Sequence, residues 1–267
     1  MWRLEVISHI PESRSHQTPI LFLHGAWHGA WVWEDYFLPY FAKQGFAVHA
    51  LSLRAHGFSE GKDFLRWASI GDYVTDLVQV VRSLPTPPVI VGHSLGGFVV
   101  QKYLEDYDTP AAVLLAPAPA FGGWKFTMRA LRSDPGAYLR ASVTLSPYAL
   151  INTVERAHTT FFSPQMPREQ VAKHFARMQD DSFRAYLDFV AFAHPDIERI
   201  RERNKPMLII GGAADRVFPA EEIEDLGKLY SADVTMLPDT AHDIMLEASW
   251  QTAADRMIAW LKEKNIG

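Results

Sequence analysis

The stretch Pro88-Val89-Ile90-Val91-Gly92-His93-Ser94-Leu95-Gly96-Gly97-Phe98-Val99-Val100 leaves few folds open to this chain. It starts as a β-branched run suited to a strand buried on both faces. It ends in an apolar segment, 98–103, that continues as a helix. A strand that passes directly into a helix needs a sharp turn. Gly92-His93-Ser94-Leu95-Gly96 fits G-x-S-x-G, the pattern of such a turn. Gly92, Gly96 and Gly97 leave room for a strained residue at its tip, with Ser94 standing there and its hydroxyl exposed.

The rest of the chain repeats the alternation. Segments 4–10, 20–23, 46–51, 112–115, 207–210 and 234–237 read as strands, and 36–44 and 250–262 as helices. Between two strands, Ser69 caps a further helix with Asp72 three residues on as its capping-box partner, and Ile70, Tyr73, Val74, Leu77 and Val81 recur at helical spacing. Alternating strands and helices predict an α/β chain with a mostly parallel sheet covered on both faces. Segment 118–204 breaks the rhythm. It has no convincing strand, several helical stretches (124–132, 168–179 and 183–192) and many aromatic and methionine side chains. The reading is a core of residues 1–117 and 205–267 with a helical cap, 118–204, inserted between them.

Composition closes off other classes. A chain of 267 residues with 48% apolar content can bury a sizeable core. A net charge of −5 provides no basic footprint for nucleic acid. The absence of cysteine excludes disulfides, thiolate metal sites and cysteine nucleophiles. No histidine or carboxylate cluster has the spacing of a metal site. No window approaches the ~20 apolar residues of a membrane span, and the first residues read as a strand rather than a signal sequence. The expectation is a soluble, cytoplasmic protein. Its oligomeric state, monomer or dimer, is not written in these features.

A serine hydroxyl needs a general base, and the base an orienting acid. Among eleven histidines, His242 stands out, because its loop follows the last strand and opens on the sheet edge where Ser94 lies. Asp215, in the loop after the preceding strand, is the candidate acid. Asp239 and Asp243 flank His242 and are expected to face solvent. His24 and His93 read as hydrogen-bonded structural side chains.

In that order, Ser94, Asp215 and His242 resemble the catalytic triad of the α/β-hydrolase superfamily, and the resemblance covers the whole chain, less specifically in the cap. His24-Gly25-Ala26 resembles the family's oxyanion loop. The resemblance implies an oxyanion hole built from the backbone N–H groups of Ala26 and Leu95. Arg54-Ala55-His56-Gly57-Phe58-Ser59 resembles the family's Arg-Gly-His-Gly-x-Ser loop, with Ala55 in place of a glycine, and reads as scaffold.

Residues 24–31 are similar to the matching stretch of plant methylesterases and hydroxynitrile lyases. The lyases usually place a lysine after the catalytic histidine, where this chain has Asp243, so an esterase is favoured over a lyase. A serine at the elbow disfavours dehalogenase and epoxide hydrolase chemistry, which use aspartate there. The expected function is a cofactor-free serine carboxylesterase acting on a small-molecule ester, small to medium and neutral or apolar. Thioesterase, lactonase and carbon–carbon hydrolase activities use nearly the same parts, and a ligand-sensing, receptor-like role is the rival from another class. The expected pocket residues are Trp27 and His28 after the oxyanion loop, with Phe121, Trp124, Phe161, Phe162, Phe189 and Phe192 from the cap.

Overall fold

The short apolar runs become the strands of one seven-stranded sheet in the computed structural model, which describes residues 2–13 and 15–267. The strands are β1 (Val6–His9), β2 (Ile20–Leu23), β3 (Val48–Leu51), β4 (Val89–His93), β5 (Ala112–Leu115), β6 (Met207–Gly212) and β7 (Asp233–Leu237). Their spatial order is β1-β3-β2-β4-β5-β6-β7. Only β1 runs antiparallel, against β3. Every residue of β2, β4, β5 and β6 is buried, as strands covered on both faces require. The edge strand β1 alternates between exposed and half-buried positions.

The helices are α1 (Phe37–Lys43), α2 (Ile70–Ser83), α3 (Leu95–Asp106), α4 (Trp124–Ser133), α5 (Pro135–Thr144), α6 (Val154–Phe161), α7 (Arg168–Phe175), α8 (Phe183–Leu187), α9 (Ile197–Glu202), α10 (Ala220–Tyr230) and α11 (Trp250–Glu263). Two groups cover the sheet: α1 packs on α11, whereas α2 and α9 pack on α3 and α9 also meets α10. The predicted capping box is present, with Ser69 Oγ accepting from the Asp72 N–H and Asp72 accepting from the Ser69 N–H. Helices α4–α8 and a π turn, Asp188–Phe192, fill the interval between β5 and α9 without a strand among the described residues. No helix of the described residues is long and apolar enough to cross a membrane.

The register positions the site. Leu23 of β2 aligns with Gly92 of β4, His93 with Leu115 of β5, Leu115 with Ile210 of β6, and Gly212 with Leu237 of β7. In parallel strands this brings the loops after β2, β4, β6 and β7 to one edge of the sheet, where ligands of open α/β sheets bind.

Candidate active site

Ser94 links β4 to α3 with φ 51° and ψ −119°, a strained conformation held from both sides. Its N–H donates to Leu115 O at 3.0 Å, and its carbonyl accepts from the N–H groups of Ala118 and Phe98. The turn closes this tightly because its neighbours lack side chains. A Cβ on Gly92 would lie 2.6 Å from Gly96 O and 2.8 Å from Gly97 Cα, and one on Gly25 would lie 2.8 Å from Ser94 Cβ.

His242 faces this serine. Its Nε2 lies 2.9 Å from Ser94 Oγ, and its Nδ1 lies 2.8 Å from Asp215 Oδ2. The other oxygen of Asp215 accepts from the N–H groups of Val217 (2.7 Å) and Phe218 (3.1 Å), so the carboxylate cannot rotate freely. The loops carrying the acid and the histidine are joined as well, since Ala213 N–H donates to Leu237 O and Ala214 N–H to Thr240 O. Burial of the His242 imidazole works against its charged form, but the Asp215 carboxylate, helped by Asp243, outweighs that and raises the pKa above the ordinary histidine value.

Leu95 opens α3, so its N–H has no acceptor within the helix. The Ala26 N–H has no protein acceptor among the described residues. Both residues line a cavity together with Ser94. The cavity is small, about 50 Å³, and its wall is almost wholly apolar. Phe126, Pro147, Leu150, Tyr186 and Phe189 come from the helical segment between β5 and α9, and Val217 and Phe218 from the loop of Asp215.

A model of the alpha/beta hydrolase family matches residues 20–256. The chain belongs to the alpha/beta hydrolase family. Over 96 residues it is 32% identical to Methylesterase 3 of Arabidopsis thaliana, a match taking in 35% of this chain and only 36% of that relative's length. It is 27% identical over 241 residues to the bifunctional esterase/perhydrolase DCH of Acinetobacter calcoaceticus, covering 80% of this chain and 83% of the relative. Among solved structures, a carboxylesterase of Nitrososphaera gargenis shares the fold with a TM-score of 0.74 at 18% identity, over 98% of this chain and 95% of that one.

Within this alpha/beta hydrolase, the expected pocket residues part company. Trp27 and Phe189 line the cavity. Phe161 is buried one layer behind it, its ring centroid 5.5 Å from Trp27 and 6.0 Å from His242, and Phe162 stacks on His174. Phe121, Trp124 and Phe192 stand at the surface, 43%, 63% and 72% exposed. Helical geometry explains one exchange: residues two apart on α4 point about 200° apart, so turning Phe126 inward turns Trp124 out. His28 lies beneath the site, with Nδ1 donating to Ala26 O at 2.6 Å and Nε2 3.2 Å from Asp243 Oδ2. The solvent-facing expectation for Asp243 is corrected, because the residue is fully buried between His28 and His93. Asp239 is exposed.

The structural histidines are accounted for. His24 Nδ1 donates to Gly25 O and its Nε2 accepts from Leu53 N–H, and burial, followed by the nearby His56, lowers its pKa well below the usual value. His93 donates from Nε2 to His242 O at 3.1 Å, and burial, with the His242 imidazole next in weight, lowers its pKa to about 3. In the loop after β3, Arg54 forms a buried ion pair with Asp76 (2.7 Å) and a half-buried one with Asp72 (2.6 Å). Ala55 takes φ 66° there, where a glycine would be at ease.

Asp181 and Ser182 also line the cavity. Asp181 Oδ2 accepts from Trp27 N–H at 2.6 Å and Gln179 N–H donates to Trp27 O at 3.0 Å, so the segment between α7 and α8 grips the residue after Ala26 on both sides. Nothing local in the sequence marks Asp181. The possible ligand atoms of His93, His242 and Asp243 lie within 4.8 Å of one another. Both nitrogens of His242 already face Ser94 and Asp215, so a cation there would compete with those hydrogen bonds.

Proposed function

We propose that this chain is a serine hydrolase of carboxylic esters, acting on small to medium substrates that are neutral or apolar. The observation that carries the reading is the unbroken line from Asp215 through His242 to Ser94 Oγ, ending on an apolar cavity. Ser94 Oγ attacks the acyl carbon while its proton passes to His242 Nε2. Asp215 holds the imidazole by Nδ1 and stabilises the imidazolium. The N–H groups of Ala26 and Leu95 receive the developing oxyanion, where losing one such donor costs about 3 kcal/mol. His242 then protonates the leaving alcohol, and the acyl group stays on Ser94. Water, deprotonated by His242, attacks the acyl-enzyme and releases the acid and the free serine. No step draws on a cofactor.

The cavity wall supports the substrate class. Each methylene buried there contributes about 0.8 kcal/mol, so kcat/KM should rise roughly fourfold per carbon until the space is full. The test is a series of p-nitrophenyl esters from acetate to dodecanoate, run on the wild type and on folded Ser94→Ala. A rise followed by a fall is expected, with Ser94→Ala inactive. No dependence on length, or a preference for carboxylate-bearing esters, would contradict the substrate class. Undiminished turnover by Ser94→Ala would contradict the mechanism. Higher kcat/KM on thioesters or lactones would change the bond cleaved and leave the triad reading in place.

A further inference from the structure

Behind the triad lies a buried group for which the mechanism above has no use. The carboxylate of Asp243 is fully enclosed, and neither of its oxygens has a hydrogen bond of good geometry. A buried charge without such partners is costly, so its retention calls for a reason. The nearest nitrogens are His28 Nε2 at 3.2 Å and His93 Nε2 at 3.7 Å. These three residues come from three of the loops that build the site: His28 from the oxyanion loop, His93 from the elbow and Asp243 from the loop of His242.

The other side of the His28 ring is held by the oxyanion loop itself. His28 Nδ1 lies 2.6 Å from Ala26 O, and a carbonyl can only accept, so Nδ1 carries a hydrogen. His93 likewise donates from Nε2 to the His242 carbonyl at 3.1 Å. The His242 backbone is thus gripped from the elbow, and its successor, Asp243, from the oxyanion loop.

We propose that Asp243 is a second positioning carboxylate for His242, acting through its buried pairing with His28 to lock the histidine loop onto the oxyanion loop. It touches no reacting atom, so its role is distinct from that of Asp215. The proposal rests on the reading of His242 as the general base. Its electrostatic consequence follows from proximity, because a carboxylate beside His242 favours the imidazolium that forms during acyl transfer. The charged and titratable groups around Asp243 are His28, His93 and His242, with His174 from α7 and Glu247 from its own loop. Burial opposes ionisation of Asp243, yet the His28, His93 and His242 imidazoles together hold its pKa below the usual carboxylate value.

The test is Asp243→Asn, which keeps the shape and removes the charge. The His242 titration midpoint is followed by NMR in protein labelled with 15N-histidine, and the pH profile of kcat/KM is measured alongside. The expected result is a His242 midpoint below that of the wild type and an acid limb moved to lower pH. The kcat should fall between about tenfold and a hundredfold, as for misplaced catalytic groups, with KM little changed. Should Asp243→Asn fail to fold, His28→Phe, which keeps a ring and removes both nitrogens, makes the same test. The carboxylate left without its partner takes up a proton, and the His242 midpoint again moves down. An unchanged midpoint in a folded variant would overturn the proposal, and so would a loss of thermal stability with no movement of the acid limb. The NMR midpoint needs no substrate, so an absence of ester turnover in the wild type would remove the esterase reading and leave this measurement standing.

Discussion

Ser94 holds a backbone conformation that costs on the order of 1–3 kcal/mol, and the cost sits where the hydroxyl must be presented. Asp215 is the group whose contribution can be separated most cleanly, since asparagine keeps its volume but offers Nδ1 of His242 no carboxylate. Asp215→Asn should lower kcat on the order of 10⁴-fold, by analogy with the triad aspartate of serine proteases, while the protein stays folded. A near-normal rate would show that another group orients the base. The pH dependence follows from the raised pKa of His242. Only the neutral imidazole can take the proton of Ser94, so activity is lost as pH falls through that pKa. The acid limb of kcat/KM should be centred above the ordinary value of 6.5, and a limb centred below it would contradict the electrostatics described. Ser94, Asp215 and His242 were legible in the sequence because each follows a strand whose apolar run announces itself. Asp243 was not, because its burial depends on His28 and His93, which come from distant parts of the chain.

At the scale of single elements, the elbow depends on absent side chains. Gly92→Ala would place a Cβ against the backbone of Gly96 and Gly97, which has no rotamer through which to yield. It should destabilise by about 1–3 kcal/mol or more, read as a lower midpoint in urea unfolding. Gly71→Ala is the matched contrast. On the exposed first turn of α2 its Cβ would meet only Ser69 Oγ, at 3.7 Å, so the substitution should stabilise by about 0.5–1 kcal/mol. Equal effects from the two substitutions would show that close approach at the elbow is not what selects glycine. The strands and α2 could be read from local period and capping. The sequence reading passes over α10, although Pro219, Glu221 and Glu222 mark its start and Ile223, Leu226 and Tyr230 its buried face. Between β5 and α9, helices were readable but their facing was not. The spacing of Phe121, Trp124 and Phe126 says that some must point outward, and only packing against the core decides which.

The molecule as a whole sets a mostly parallel sheet, which delivers the four loops after β2, β4, β6 and β7 to one edge, beneath helices that roof the edge over. The alternation of strands and helices made the sheet readable, whereas the cavity arises between segments far apart in sequence and had no local signature. Asp181 illustrates this, reaching from the segment between α7 and α8 to the N–H of Trp27 beside the proposed oxyanion donor Ala26. All these parts serve one proposed event, transfer of an acyl group to Ser94. Rapid acid quench of the protein with p-nitrophenyl acetate, followed by peptide mass mapping, tests that event most directly. The account predicts an acetyl group on Ser94, formed as p-nitrophenol is released and absent from Ser94→Ala. Release of p-nitrophenol with no adduct, or with the adduct on any other residue, would contradict it.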